Sequence, residues 1–155
     1  MDDWKLPWDG GCRCGATRVR IAAPPLLAMA CHCTGCQRMS ASAFSLSLAI
    51  PTQGFEVTKG EPVLGGLSKD MHHFCPDCLS WMFTRPIGMD WFVNIRAPIL
   101  DDHRWVVPFV ETFTAEKLPW ASTPAKHSFE TLPELSAYDG LIKAFAAEGA
   151  RPADH

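Results

Sequence analysis

The segment Cys31-His32-Cys33-Thr34-Gly35-Cys36 decides how this chain is read. Three cysteines fall within six residues, in a C-x-C-x-x-C spacing. A thiolate binds Zn²⁺ at about 2.3 Å, and the ion normally takes four ligands. A short loop can turn three sulfurs onto one ion and leave the fourth position for water, substrate or another side chain. Three protein ligands with an open position distinguish a catalytic zinc site from a structural one. The rest of the chain reads as a scaffold for this loop.

The other four cysteines come in pairs. Cys12-Arg13-Cys14-Gly15 lies upstream and Cys75-Pro76-Asp77-Cys78 downstream. Two distant pairs can close one four-sulfur site, and the central triplet then forms a site of its own. This division uses all seven cysteines. The paired site takes the structural role, because joining strands far apart in sequence helps to hold a small β fold together. Such a metal supplies roughly 10 kcal/mol or more of folding free energy. Four cysteines can also hold iron, but nothing else in the sequence points to electron transfer, so zinc is preferred. An odd count argues against a complete disulfide framework, and unligated core thiols would not fall into three spaced groups.

At 155 residues the chain suits one domain over 1–155, long enough for a core. Lys+Arg number 14 against 17 Asp+Glu, so no basic surface for nucleic acid is expected. No apolar run approaches the roughly 18 residues of a membrane span. Met1-Asp2-Asp3-Trp4-Lys5 lacks the basic start and apolar stretch of a secretory signal. These features place the protein in the cytoplasm, where thiols stay reduced and cysteines point to metal chemistry.

The element pattern is mainly β. Residues 1–11 read as a loose lead-in closed by a turn at Gly10-Gly11. Ala16–Ala22 and Ala43–Ile50 alternate with period two, as half-buried strands do. Leu26–Ala30 is an apolar approach to the cysteine loop, and Gln37–Ser42 a helical turn leaving it. Short strands are expected at 55–58, 63–64, 71–74, 81–84 and 91–95. Segments 105–107 and 109–113 flank Pro108, which suggests an edge strand or a bulge. Residues 114–133 read as a surface arm. A C-terminal amphipathic helix is expected over 134–148, docking through Leu135, Tyr138, Leu141, Ile142 and Phe145.

Three motifs agree in order and spacing with a known family. Gly11-Cys12-x-Cys14-Gly15-Ala16, Cys31-His32-Cys33-x-x-Cys36-Gln37-Arg38-x-Ser40 and Phe74-Cys75-Pro76-x-Cys78 resemble the glutathione-dependent formaldehyde-activating enzyme family, whose domain centromere protein V shares. Leu100-Asp101-Asp102 and Lys117-x-Pro119-Trp120 look like its later segments. The resemblance implies a β-tent of small antiparallel sheets, with a zinc-binding core over about 10–133. It makes Cys12, Cys14, Cys75 and Cys78 structural zinc ligands, and Cys31, Cys33 and Cys36 the ligands of a second zinc; with one fewer protein ligand, that second site is expected to be the more labile and can be partly empty. It implies a carbon–sulfur lyase acting on adducts of a small thiol, such as glutathione, with a small aldehyde such as formaldehyde. S-hydroxymethylglutathione formation is the example. The alternative is a non-catalytic zinc module that carries or senses a thiol metabolite, or binds a protein partner.

Gln37 and Arg38 follow the loop directly and are candidates to bind a carboxylate or orient a zinc-bound group. His32 reads as a supporting or exposed group, not a ligand. His72 and His73 read as solvated strand residues, and Asp101-Asp102 as a turn. Most of the tryptophans and phenylalanines read as core, with Trp91 or Trp105 as candidates to line a cleft. Two positions depart from the family pattern, Ala41 and Leu79, where glycine is usual. Leu79 falls where the backbone is expected to favour φ > 0, and Ala41 adds a methyl beside the second metal.

Overall fold

The computed structural model describes residues 3–67 and 71–152. Met1 and Asp2 of the expected lead-in lie outside the described residues. Eleven strands and two helices follow in chain order among the described residues: β1 Trp8–Gly11, β2 Arg18–Ile21, β3 Leu27–Cys31, α1 Thr34–Ser40, β4 Ser45–Pro51, β5 Phe55–Lys59, β6 Val63–Leu64, β7 His72–Phe74, β8 Trp81–Thr84, β9 Phe92–Arg96, β10 Val110–Thr112, β11 His127–Ser128 and α2 Tyr138–Glu148. The fold is mainly β.

Two sheets form. The smaller has the order β1-β2-β5 and is antiparallel. The larger runs β11-β10-β3-β4-β9-β8-β7-β6. It is antiparallel from β3 to β6, but β10 runs parallel to both β3 and β11. Of the edge strand or bulge expected beside Pro108, the edge strand does not form: β10 is interior, between β11 and β3. The proline stands two residues before the strand, where its missing N–H removes no ladder bond.

Several expectations shift for local reasons. The lead-in contains β1, and Gly10 serves close approach instead of a turn. A Cβ there would lie 2.5 Å from the Ile99 carbonyl oxygen, where Gly10 bridges Leu100. The apolar approach to the cysteine loop is itself strand β3. Helix α1 starts at Thr34, inside the loop, and carries Cys36, three residues before the helical turn expected from Gln37.

In β4 Leu48 and Ile50 are fully buried, with Leu46 on the same face partly so, and this face continues across β9 as Val93 and Ile95 and across β8 as Phe83. That face is the main core. The serine face is buried too: Ser45 and Ser47 are 3% and 4% exposed. Period-two alternation here separates an apolar core from a polar interior, not core from solvent.

Helix α2 packs on the sheet through Leu141 and Phe145, with Tyr138 and Ile142 partly buried. Phe145 meets Phe109 and Trp4, and Trp4 joins Trp8 and Trp105 in one aromatic cluster. The helix starts later than expected, after a 3-10 turn at Leu135–Ala137, and Leu135 is 86% exposed. The 3-10 turn swings Leu135 off the apolar stripe. Phe145→Ala is expected to cost about 3–5 kcal/mol and Leu141→Ala about 2–5, while Leu135→Ala stays within about 0.5. Urea denaturation of the three variants checks this.

Candidate functional site

Cys12 and Cys14 stand in the turn from β1 to β2, Cys75 and Cys78 in the turn from β7 to β8. The four sulfurs lie within 4.8 Å of one another and can hold one metal ion. Both turns are knuckles closed by backbone bonds. The Cys12 amide donates to the Thr17 carbonyl at 3.0 Å, the Cys75 amide to Ser80 at 3.1 Å, and the Leu79 amide to Cys75 at 3.0 Å. The Thr17 amide also donates to Cys12 Sγ at 3.3 Å. Ser80, first through its hydroxyl and then its backbone, holds the Cys78 thiol down at about 5. The cluster ties the small sheet to the far end of the large one.

The second cluster is built by consecutive elements. Cys31 ends β3, Cys33 is the N-cap of α1, and Cys36 lies in the first turn of that helix. The Cys36 amide donates to Cys33 Sγ at 3.2 Å. Again all three sulfurs lie within 4.8 Å of one another. Their ionisations oppose each other. A hydrogen bond from the Cys36 thiol brings Cys31 down to about 5, and the same contact drives Cys36 up. Burial raises Cys33. Thiols this close cannot all lose their protons without a cation among them, so the donor set fits a divalent ion that prefers sulfur, as zinc does. All seven cysteines are unbridged thiols.

The loop is braced from below. His32 is fully buried and turns away from the sulfurs: its Nε2 lies 2.8 Å from Glu111 Oε1. Glu111 also accepts from Ser128 Oγ at 2.6 Å and Thr123 Oγ1 at 3.2 Å. Gln37 Nε2 donates to the carbonyls of His32 and Glu116, at 2.8 and 3.0 Å. Glu116 in turn accepts from the amide and hydroxyl of Thr34. The expected surface arm thus supplies Glu116, Thr123 and Ser128 to the loop's support. Arg38 is exposed on α1.

A cleft of about 850 Å³ opens between the two clusters. Ser40, Ser42 and Ser45 line it from the α1–β4 side, Cys12 and Ser80 from the paired knuckles, and Trp81 and Arg96 from β8 and β9. The register puts several of these on one sheet face. Cys31 pairs with Ser45, Ser47 with Arg96, and Asn94 with Thr84, which pairs with His72. Directly paired residues share a face, as do alternate residues of one strand. Cys31, Ser45, Ser47, Arg96, Thr84 and His72 therefore form a polar stripe opposite the core. His72 is not solvated: its Nδ1 lies 2.9 Å from Thr84 Oγ1. His73 stacks on Phe83 at 4.5 Å. Burial lowers both imidazoles. Trp105 lies in the aromatic cluster and lines a separate, smaller cavity with Trp8; Trp91 is half exposed against Phe92.

The model of the glutathione-dependent formaldehyde-activating enzyme family matches residues 7–116, more than half of the chain. The chain belongs to this family. No curated protein matches it. Among solved structures it is similar to a Rhodobacter sphaeroides protein from structural genomics, with 19% identity and a TM-score of 0.48 over 60% of this chain and 87% of that one. A likeness of that size establishes nothing about activity.

Both departures from the family glycines are left-handed. Ala41 has φ 51 as the C-cap of α1, and Leu79 has φ 60 in the second knuckle. Left-handed backbone costs an L-residue roughly 1–2 kcal/mol, while glycine's greater unfolded entropy offsets about 0.4–1 of that. Ala41→Gly and Leu79→Gly are each expected to stabilise the protein by about 0.5–1 kcal/mol, measured as a rise in denaturation midpoint.

Arg96 and Glu111 did not stand out in the sequence. The available signal is a charged residue inside an otherwise apolar strand, in Phe92-Val93-Asn94-Ile95-Arg96 and Phe109-Val110-Glu111. Burial works against ionisation of Glu111, but hydrogen bonds from Ser128, His32 and Thr123 outweigh it and hold the carboxyl below its usual 4.5. A lowered folded pKa means the contribution is complete above 4.5 and fades as pH falls through the lower value. Glu111→Gln is therefore expected to cost about 1–3 kcal/mol at pH 7. The gap to wild type should narrow below pH 4.5 in parallel denaturation series.

Proposed function

We propose that this chain is a zinc-dependent carbon–sulfur lyase-type enzyme acting on thiol–aldehyde adducts. The carrying observation is the three-sulfur cluster: among the described residues no fourth His, Cys, Asp or Glu joins Cys31, Cys33 and Cys36, and the cleft wall includes their neighbours Ser45, paired with Cys31, and Ser40, hydrogen-bonded to the Cys36 carbonyl. Family membership supplies the substrate class, a small thiol such as glutathione and a small aldehyde such as formaldehyde. Cys12, Cys14, Cys75 and Cys78 take the structural zinc, and Cys31, Cys33 and Cys36 the second.

Zinc held by three thiolates would favour a thiol in its fourth position and lower that thiol's pKa, so that a thiolate is present at neutral pH. In the forward direction the thiol sulfur forms a bond to the aldehyde carbon, and the carbonyl oxygen takes up a proton as the thiol loses one. The reverse direction breaks that carbon–sulfur bond and returns thiol and aldehyde. The chain's own groups act by placement. Gln37 braces the loop through the carbonyls of His32 and Glu116. His32 and Glu111 keep the loop from collapsing into the core face.

The test uses the zinc-loaded protein with glutathione and ¹³C-formaldehyde, followed by exchange NMR. Faster exchange between free and adduct carbon is expected, and Cys33→Ser should abolish it. Two bound zincs with no acceleration would replace the enzyme by the thiol-carrying module. The second zinc has one fewer protein ligand, so mild chelation is expected to remove it first and leave a folded one-zinc protein. Loss of both metals together with unfolding would make both sites structural.

A further inference from the structure

Arg96 is 8% exposed and stands at the end of β9, in the wall of the cleft. Among the described residues no carboxylate pairs with it, whereas Arg18, Arg20 and Arg151 each have one. Its Nη2 donates to Thr84 Oγ1 at 3.0 Å and to the Asn94 carbonyl at 3.4 Å. Its Nε is buried with no hydrogen-bond partner. The guanidinium lies 4.0 Å above the Trp81 ring, and the Trp81 indole nitrogen is likewise buried and unpartnered. Both groups can only donate.

A buried cation without a paired carboxylate is costly, and the negative charge that acts on Arg96 comes from the sulfurs of Cys36, Cys31 and Cys33. Here the cation is also oriented. Thr84 clamps one edge of it, His72 fixes Thr84 from behind, and Trp81 covers one face. Burial pulls the guanidinium down only to about 10, so it stays charged at neutral pH. Two unpartnered donors, on neighbouring side chains that both line the cleft, describe a receptor for a planar anion.

The register sets its distance from the metal loop. Cys31 and Arg96 share the sheet face but stand two strands and two residues apart, or about 12 Å between Cα atoms at ordinary strand spacings. Both side chains rise from that one face, and Arg96 lines the cleft. That separation suits a thiol whose carboxylate lies several bonds from its sulfur.

We propose that Arg96 is the anchor for a carboxylate of the thiol substrate, so that this cleft selects carboxylate-bearing thiols over neutral ones. The proposal rests on the thiol–aldehyde reading and names the substrate class of that same site. Trp81 adds its indole N–H to the anion, and Thr84 and His72 act as positioning residues through Arg96.

The test measures binding, not turnover. Calorimetric titrations of the zinc-loaded protein compare glutathione, its analogue with both carboxylates converted to carboxamides, and the S-methyl derivative of each. Wild type should bind the carboxylates about tenfold or more tighter than the carboxamides, whether or not the sulfur is methylated. In Arg96→Met that preference should fall to near unity, while the weak binding of the carboxamide thiol is kept. Arg96→Lys, which keeps the charge in case the neutral variant does not fold, should show an intermediate preference. Equal binding of carboxylate and carboxamide by wild type would overturn the proposal. So would an undiminished preference in Arg96→Met, or a variant that changes only zinc retention, which would make Arg96 the counter-charge of the thiolates. The enzyme reading fails separately: an Arg96-dependent preference with no advantage of free thiol over S-methyl would retain the anion site and remove the thiol chemistry. If none of the four probes binds, both fall.

Discussion

Sulfurs gathered within 4.8 Å of one another are a liability as anions and a resource once a cation sits among them. Most of this structure follows from managing that condition twice. At the paired cluster the cost is met by backbone geometry: two knuckles hold four sulfurs at a point where two sheets meet, and N–H groups aimed at sulfur favour the ionised form. At the triplet the sulfurs come from the end of one strand and the start of one helix. Their geometry is local, but its support is not. Cys31 is held in the sheet by β4 on one side and β10 on the other, and His32 between the first two cysteines is pinned to Glu111 from the core side.

The large sheet separates two jobs by its two faces. One face, through Leu48, Ile50, Val93, Ile95 and Phe83, excludes water and supplies the apolar burial that holds the domain. The other is buried without being apolar. Its serines, threonines and Arg96 are shielded by α1 and the knuckles yet open to a cleft, so they face a space of low dielectric in which a charge–anion contact is stronger than in water. A site of this kind needs a rigid sheet beneath it, because a donor displaced by an ångström loses its acceptor. The core face provides that rigidity to the polar face directly, through alternate residues of the same strands.

Two of the four left-handed non-glycine positions among the described residues, Ala41 and Leu79, belong to the same economy of space. Ala41 closes α1 and Leu79 closes the second knuckle, both in the left-handed region. Each ends a turn that presents cysteines, and both Ser42 beyond Ala41 and Leu79 itself line the cleft. Residues with a side chain at these points change the wall of the cleft at a cost in backbone energy, a common feature where a site and not the fold sets the residue.

By itself the sequence determined the cysteine grouping, the mainly β class and the family, because metal-ligand spacing and strand alternation are written in near neighbours. It also carried the C-terminal helix, whose apolar stripe at 141 and 145 needs only the 3.6-residue period, though not the 3-10 start that leaves Leu135 outside. The start of α1 was hidden, since Thr34-Gly35-Cys36 reads as loop until Cys33 caps the helix with its own sulfur. What only the tertiary structure decided is which polar residues face inward together. Glu111 meets His32 across 79 positions, and Arg96 shares a face with Cys31 only through the register of three strands. Register is set by side-chain packing over the whole sheet, and shifting it by one residue would send Arg96 into the core, so the local pattern marks Arg96 as a charge in an apolar strand but cannot place it on the face of Cys31.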